Sequence, residues 1–153
     1  MITAWRIVKA QYADEVFSGE GGRVFKARWH SAGHRIVYTA ASASLAALEW
    51  LVRTPRPRLL SDYVIASCTF PEVIVEELSE SALPSNWRHY PAPPELQIIG
   101  VEWLLNRSSA VLSVPSAVVP EERNYLINPE HEHFGSVDCG QSRPFDIDLR
   151  LLT

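Results

Sequence analysis

A period of two marks the first strong element of this chain. In Arg35-Ile36-Val37-Tyr38-Thr39, β-branched and aromatic residues place Ile36 and Tyr38 on one face of a strand. Directly after it the period lengthens. Ser42 or Ser44 is placed to cap a helix running through Ala46, Ala47 and Leu48 to Val52, with Leu45, Leu48 and Val52 at the spacing of one apolar stripe. Val64 to Phe70 and Val73 to Val75 read as strands separated by Pro71, Glu95 to Leu105 as a second helix, and Ala110 to Val118 as a further strand. Two more extended runs are expected at Tyr125-Leu126-Ile127 and from Phe145 to Leu152. Strands outnumber helices, and the order is not a regular βαβ alternation. The pattern therefore predicts an α+β fold, a mixed sheet with flanking helices.

Thr54-Pro55-Arg56-Pro57-Arg58 and Pro91-Ala92-Pro93-Pro94 break this pattern as loops, because proline donates no ladder bond and restricts the residue before it. Apolar density is similar on both sides of each, and no repeat or low-complexity tract intervenes. One domain spanning residues 1–153 is expected. Hydrophobic residues make up 46% and charged residues 21%, with a net charge of -4, so the basic footprint required for direct nucleic-acid binding is missing. Cys68 and Cys139 are too few and too far apart for a disulfide framework, which fits a reduced cytoplasm. The N-terminus lacks the basic and apolar regions of a secretory signal. The longest apolar stretch, Ile36 to Val52, is too interrupted to span a membrane.

Three polar residues set into apolar elements carry the candidate chemistry. Arg28 precedes the turn Ser31-Ala32-Gly33 and the strand ending near Tyr38, where a guanidinium can clamp phosphate bidentately; the competing reading is a surface arginine stacked on Trp29. Glu49 stands at the edge of the apolar stripe of a close-packing helix. A buried carboxylate needs a partner or a role, unless it rotates to solvent. Ser116, after Pro115 in Val114-Pro115-Ser116-Ala117, offers a hydroxyl to a ligand or side chain, or bonds its own backbone. No Gly-x-Ser-x-Gly elbow or phosphate loop is present, and Gly19-Glu20-Gly21-Gly22 lacks the dinucleotide spacing. His131-Glu132-His133 with Cys139 lacks the ligand spacing of a metal site, so no metal is expected.

These residues also sit in a longer series of matches. Trp5-Arg6-Ile7, Phe17-Ser18-Gly19-Glu20-Gly21, Arg28-Trp29, Val37-Tyr38-Thr39-Ala40 and Leu45-Ala46-Ala47-Leu48-Glu49 occur in this order. Leu83-Pro84, Trp87, Ile99-Gly100, Trp103-Leu104, the run Val114 to Pro120 and Asn124 to His131 follow. Over nearly its whole length the chain resembles the RES-domain family, named for Arg, Glu and Ser positions, whose members are toxins of bacterial toxin-antitoxin pairs. The resemblance implies a fold similar to that of ADP-ribosyltransferases and cleavage of the nicotinamide-ribose bond of NAD by hydrolysis or phosphorolysis. Transfer of ADP-ribose to a protein target is an alternative. NAD is the substrate, and no further cofactor is implied.

Carried onto this chain, the resemblance has Arg28 hold the pyrophosphate or orient the nicotinamide ribose, Tyr38 stack on the nicotinamide and Glu49 stabilise the oxocarbenium. Ser116 fixes ligand or glutamate, and Trp29 and Asn128 are expected beside the ligand. It also implies an Xre-type helix-turn-helix antitoxin, a possible homodimer, contact with DNA only through that antitoxin, and a cytoplasmic location without membrane contact. The chain departs from the family in having Lys26-Ala27 where Gly-Gly precedes Arg-Trp, His30 where Asn follows it, and Val101 in place of Asp after Ile-Gly. The Lys26-Ala27 change leaves open a third reading, a non-catalytic NAD-binding module.

Overall fold

The computed structural model describes residues 1–153. Eight strands, β1 (Ile2–Lys9), β2 (Val37–Ala40), β3 (Tyr63–Phe70), β4 (Val75–Glu77), β5 (Val111–Pro115), β6 (Arg123–Ile127), β7 (Asp138–Cys139) and β8 (Arg143–Pro144), form one sheet. Its order is β4-β5-β6-β2-β1-β3-β7, with β8 also on β3, and β4–β5 is the one parallel pair among antiparallel ones. Three α-helices accompany it, α1 (Glu20–Val24), α2 (Ala43–Arg53) and α3 (Pro94–Asn106). This is the mixed-sheet α+β class that the apolar pattern predicts.

The alternation of side chains decides which face each helix covers. One face of the sheet gathers Ala4 of β1, Val64, Ala66, Cys68 and Phe70 of β3, and Ile127 of β6, against Val16 and Phe17. The other face is split between two helices. Ile7, Ala40 and Ile65 pack under Leu45, Ala46 and Trp50 of α2. Ile36, Leu112, Val114 and Leu126 pack under Leu96, Trp103 and Leu104 of α3. A polar gap is left between α2 and α3, above the middle of the sheet.

The sheet itself is weakest at this gap. β1 runs beside β3 for eight residue pairs, whereas β1 and β2 share the single pair Trp5↔Ala40. Where the next ladder rungs belong, a side chain takes over: Arg6 Nη1 donates to the Tyr38 carbonyl at 3.0 Å. The sheet thus opens as a wedge between β1 and β2.

Several sequence expectations shift. Helix α2 keeps its Ser42 cap, whose Oγ accepts from the Leu45 N–H at 3.0 Å, but it is rotated about its axis relative to the expected stripe. Leu45, Ala46 and Trp50 are buried, while Leu48 is exposed and Val52 is 71% exposed. At about 100° per residue, Glu49 and Arg53 fall inside the buried arc and Leu48 and Val52 outside it. Small Ala46 and flat Trp50 let the helix approach the sheet with its charged edge turned towards the gap. The Val73–Val75 strand is a 3-10 turn, Glu72–Ile74, with pairing starting only at Val75. The run from Phe145 to Leu152 is not extended. It follows the two-residue strand β8 and ends in a 3-10 turn, Leu149–Leu152, because its partner strand is already flanked. Strand β1, Ile2–Lys9, with Arg6 between Trp5 and Ile7, is an element that the apolar pattern does not predict.

Candidate functional site

Glu49 lies in the gap with both carboxylate oxygens held. Ser116 Oγ donates to Oε1 at 2.8 Å, and Asn124 Nδ2 donates to Oε2 at 2.9 Å while also donating to the Thr39 carbonyl at 3.2 Å. Ser116 is fully buried because the chain leaves β5 there and turns sharply. Its Oγ accepts from the backbone N–H groups of Val118 and Val119, each at 3.1 Å. With both lone pairs so used, the hydroxyl proton is available only to Glu49. The backbone-bonded and functional readings of Ser116 therefore coexist. Burial pushes the Glu49 carboxyl above its usual range, and the bonds from Ser116 and Asn124 and the fields of Arg53 and Arg28 offset part of that rise.

Arg28 is half-buried and points away from its neighbour Trp29, donating Nη1 to the carbonyls of Trp87 at 2.7 Å and His89 at 3.3 Å. The stacked surface arginine is thus not what the fold builds. The indole of Trp29, expected beside a ligand, is 2% exposed and belongs to the α3 core instead. Its main chain is pressed so tightly on α3 that a Cβ at Gly100 would lie 1.7 Å from the Trp29 carbonyl oxygen. That close approach fixes the base of Arg28. Burial lowers the Arg28 pKa, opposed by the fields of Tyr38 and Glu49, so guanidinium, phenol and carboxylate share one electrostatic neighbourhood.

Tyr38 is half-buried on β2, on the helix-bearing face with Ala40. Its hydroxyl accepts the Trp29 N–H at 3.0 Å and meets His30 Nδ1 at 2.8 Å. Burial holds its phenol well above the ordinary value.

Asn128, the other expected ligand contact, is not brought here. It lies past the far end of β6, buried, with Oδ1 accepting from the Glu130 N–H at 3.0 Å in an Asx turn. The amide that does reach the carboxylate is Asn124, one strand length away, where β6 passes Ala40. Residues 131–139 do not converge either. His131 Nε2 meets the Arg107 carbonyl at 2.8 Å, and its Nδ1 accepts from the His133 N–H at 2.9 Å.

On the β1 side of the sheet lies a cavity of about 650 Å³ that none of Arg28, Tyr38, Glu49 and Ser116 lines; the cations Arg6, Lys9, Arg53 and Arg58 share its wall with Trp50 and with the carboxylates Glu15 and Glu20. None of the four cations takes part in an ion pair. Arg6 Nε and Trp50 Nε1 are both buried without a hydrogen-bond partner. Burial, and then the nearby Arg53, pull the Arg6 guanidinium down to about 10. Arg53 is exposed at the rim and donates Nη2 to the Ile7 carbonyl at 3.3 Å. Sequence reasoning singled out none of Arg6, Arg53 and Asn124 as site residues. The available signal was a charged or amide residue within a strand for Arg6 and Asn124, and for Arg53 its place one helical turn after Glu49.

A sequence profile of the RES domain matches residues 3–148. A protein of Yersinia enterocolitica named Toxin Res is 37% identical over 148 residues, covering 96% of this chain and 97% of its own. A protein of Sphingobium sp. named Prs ADP-ribosylating toxin is 31% identical over 153 residues, covering 97% and 95%. Among solved structures, the M. tuberculosis MbcT-MbcA toxin-antitoxin complex contains a chain of similar fold, with a TM-score of 0.78 at 19% identity over 99% of this chain and 86% of that one.

Proposed function

The chain belongs to the RES-domain family of toxins, and we propose that it degrades NAD by cleaving the bond between nicotinamide and ribose. The observation that carries this reading is the Glu49 carboxylate fixed through both oxygens by Ser116 and Asn124, within the fields of Arg28 and Arg53. Departure of neutral nicotinamide leaves positive charge on the ribose. A preoriented carboxylate in a partly dry gap stabilises that charge more in the transition state than in the bound substrate. Tyr38 supplies the ring against which nicotinamide lies, and Arg28 orients the adjoining ribose. Arg6, with its unpartnered Nε, and Arg53 face the space suited to the diphosphate. Water attacking C1 gives nicotinamide, ADP-ribose and a proton; phosphate gives nicotinamide and ADP-ribose-1''-phosphate.

A second reading has a protein side chain as the attacking group. The 31% identical relative named Prs ADP-ribosylating toxin favours it. In either case such an activity must be restrained in its own cell. The similar fold solved in a toxin-antitoxin complex supports an antitoxin partner here. We take that partner to be an Xre-type helix-turn-helix protein that covers the gap between Arg28 and Glu49 and alone contacts DNA, with the toxin as a homodimer in the cytoplasm. No helix is long and apolar enough to cross a membrane.

Mass spectrometry of the purified chain incubated with NAD tests the reading. Free nicotinamide with ADP-ribose is expected, replaced by ADP-ribose-1''-phosphate if supplied phosphate is the acceptor, and a mass-shifted protein indicates transfer. Glu49→Gln should lower turnover by about two orders of magnitude or more while the fold persists. Unchanged NAD with folded wild-type chain refutes the enzyme and leaves the non-catalytic module.

A further inference from the structure

His30 is buried, 1% exposed, and lies outside the residues given a role above. Its two ring nitrogens have fixed partners. Nε2 lies 2.8 Å from the Gly22 carbonyl of α1, and Nδ1 lies 2.8 Å from the Tyr38 hydroxyl. A carbonyl only accepts, so Nε2 carries the proton in the neutral ring and Nδ1 is left as an acceptor. Burial lowers the basicity of His30, and the Gly22 and Phe25 backbone, which favours a ring that donates to it, offsets part of that; the net lowering agrees with a neutral ring. The Tyr38 oxygen already accepts from the Trp29 N–H at 3.0 Å, so its one proton points to His30 Nδ1. The hydrogen bonds thus run in one direction, from the Tyr38 hydroxyl to His30 and from His30 to Gly22.

The outer end of this relay does not move freely. A Cβ at Gly22 would lie 2.7 Å from Ile36 Cγ2 and 3.0 Å from the Ile36 carbonyl oxygen, so α1 is seated directly on the chain entering β2. The His30 main chain is held as well, through the bridge in which the Ala27 N–H donates to the His30 carbonyl at 3.1 Å. At the other end of Tyr38, Arg6 holds its carbonyl at 3.0 Å. The phenol is thereby fixed at both ends.

We infer that His30 is a positioning residue for Tyr38: its neutral Nδ1 takes the phenol proton and sets the ring in the gap beside Glu49, so that Tyr38 offers a substrate its ring and not a proton. The inference rests on the proposed cleavage of NAD. It also gives a role to His30 as the departure from the Arg-Trp-Asn pattern. Asparagine carries an acceptor, Oδ1, where imidazole carries Nδ1, so the two residues can serve Tyr38 alike.

The test compares two variants of the full chain. His30→Asn keeps an acceptor for Tyr38 and gives up the bond to Gly22. His30→Gln keeps a donor for Gly22 through its longer amide and leaves no acceptor where Nδ1 was. Kinetics with NAD are expected to show His30→Asn within about threefold of wild type in kcat/KM and His30→Gln down by about tenfold or more. Thermal melting reports any loss of fold separately. Nitrogen-15 NMR of the histidine rings in the wild-type chain is expected to show His30 as the Nε2–H tautomer. An Nδ1–H tautomer, or equal losses of kcat/KM in the two variants, overturns the inference. A folded wild-type chain that leaves NAD intact overturns instead the reading on which it rests.

Discussion

The carboxylate corner and the cationic wedge adjoin each other and are built on opposite terms. Around Glu49 both carboxylate oxygens are engaged, both lone pairs of Ser116 are taken by Val118 and Val119, and the Asn124 amide is shared between Glu49 and Thr39. Around Arg6 and Arg53 buried donors are left over. Arg6 Nε and Trp50 Nε1 meet nothing, and the cations have no carboxylate in ion-pair range. An unpaired buried donor costs about 1–3 kcal/mol, so at Arg6 Nε and Trp50 Nε1 the chain gives up stability that the corner around Glu49 keeps. The corner is preorganised by its hydrogen bonds, and under the proposed reading the diphosphate of NAD would supply the anion that the wedge lacks.

The sharpest way to break this contrast is Arg6→Met. If the wedge holds the diphosphate, binding of NAD measured calorimetrically on the catalytically silent Glu49→Gln background should weaken by about 10- to 100-fold, since a charge-assisted contact contributes about 1.5–3 kcal/mol. Stability should change little. The variant removes the bond to the Tyr38 carbonyl and, with it, an unpartnered buried Nε. Unaltered affinity would make Arg6 a strut between β1 and β2 and nothing more.

That Arg6 had to be found in the structure illustrates what the sequence discloses. Local periodicity is written in the chain, so the strands at 63–70 and 123–127 and the cap at Ser42 were legible to within a residue or two. The special status of Glu49 was legible too, because a carboxylate at the edge of an apolar helix asks for a partner. Which partners it meets depends on register. Asn124 and Asn128 are both amides near a strand end, and the pairing of Ala40 with Asn124 across the sheet decides between them. Helix rotation behaves the same way: Leu48 and Val52 complete a plausible stripe, and only the fit of Ala46 and Trp50 against Ile7, Ala40 and Tyr63 turns Glu49 inward and leaves Arg53 at the rim instead. His30 read as a departure from a motif, and its two bonds required the packing of α1 on Ile36.

On the corner side, Ser116→Ala should have a moderate effect of a distinctive kind. In the proposed reaction Glu49 works as a carboxylate, and its pKa is raised chiefly by burial. Turnover should therefore climb as pH rises through a value above the usual glutamate range, and fall as acid protonates the group. Removing the Ser116 hydroxyl takes away the first of the bonds that favour the charged form, so the acid limb of the pH–turnover profile should move further towards neutral pH. A raised carboxyl pKa also means that the ionised group opposes folding. The stability it contributes is present at pH below the unfolded glutamate value and is lost as pH rises through the folded one. Loss of the acceptor for Val118 and Val119 should add a destabilisation of about 1–3 kcal/mol, read in chemical denaturation. An acid limb that stays in place would separate Ser116 from the charge state of Glu49.

The smallest expected effect belongs to the residue that joins the two regions. Arg53 stands one helical turn after Glu49, lowers the carboxyl's pKa by its field, and also lowers that of Arg6. It acts across distance from an exposed position, and exposed charges at such range are screened by salt. Arg53→Gln should weaken NAD binding by only about two- to fivefold at low ionic strength, with the difference shrinking as salt is raised towards physiological strength. Val52→Lys is the neighbouring control. Val52 lies on the outer face of α2, so the change should alter stability by less than about 0.5 kcal/mol and leave binding alone. An Arg53→Gln deficit as large as that of Arg6→Met and insensitive to salt would mean that Arg53 touches the anion itself, and the wedge would then extend to the rim of α2.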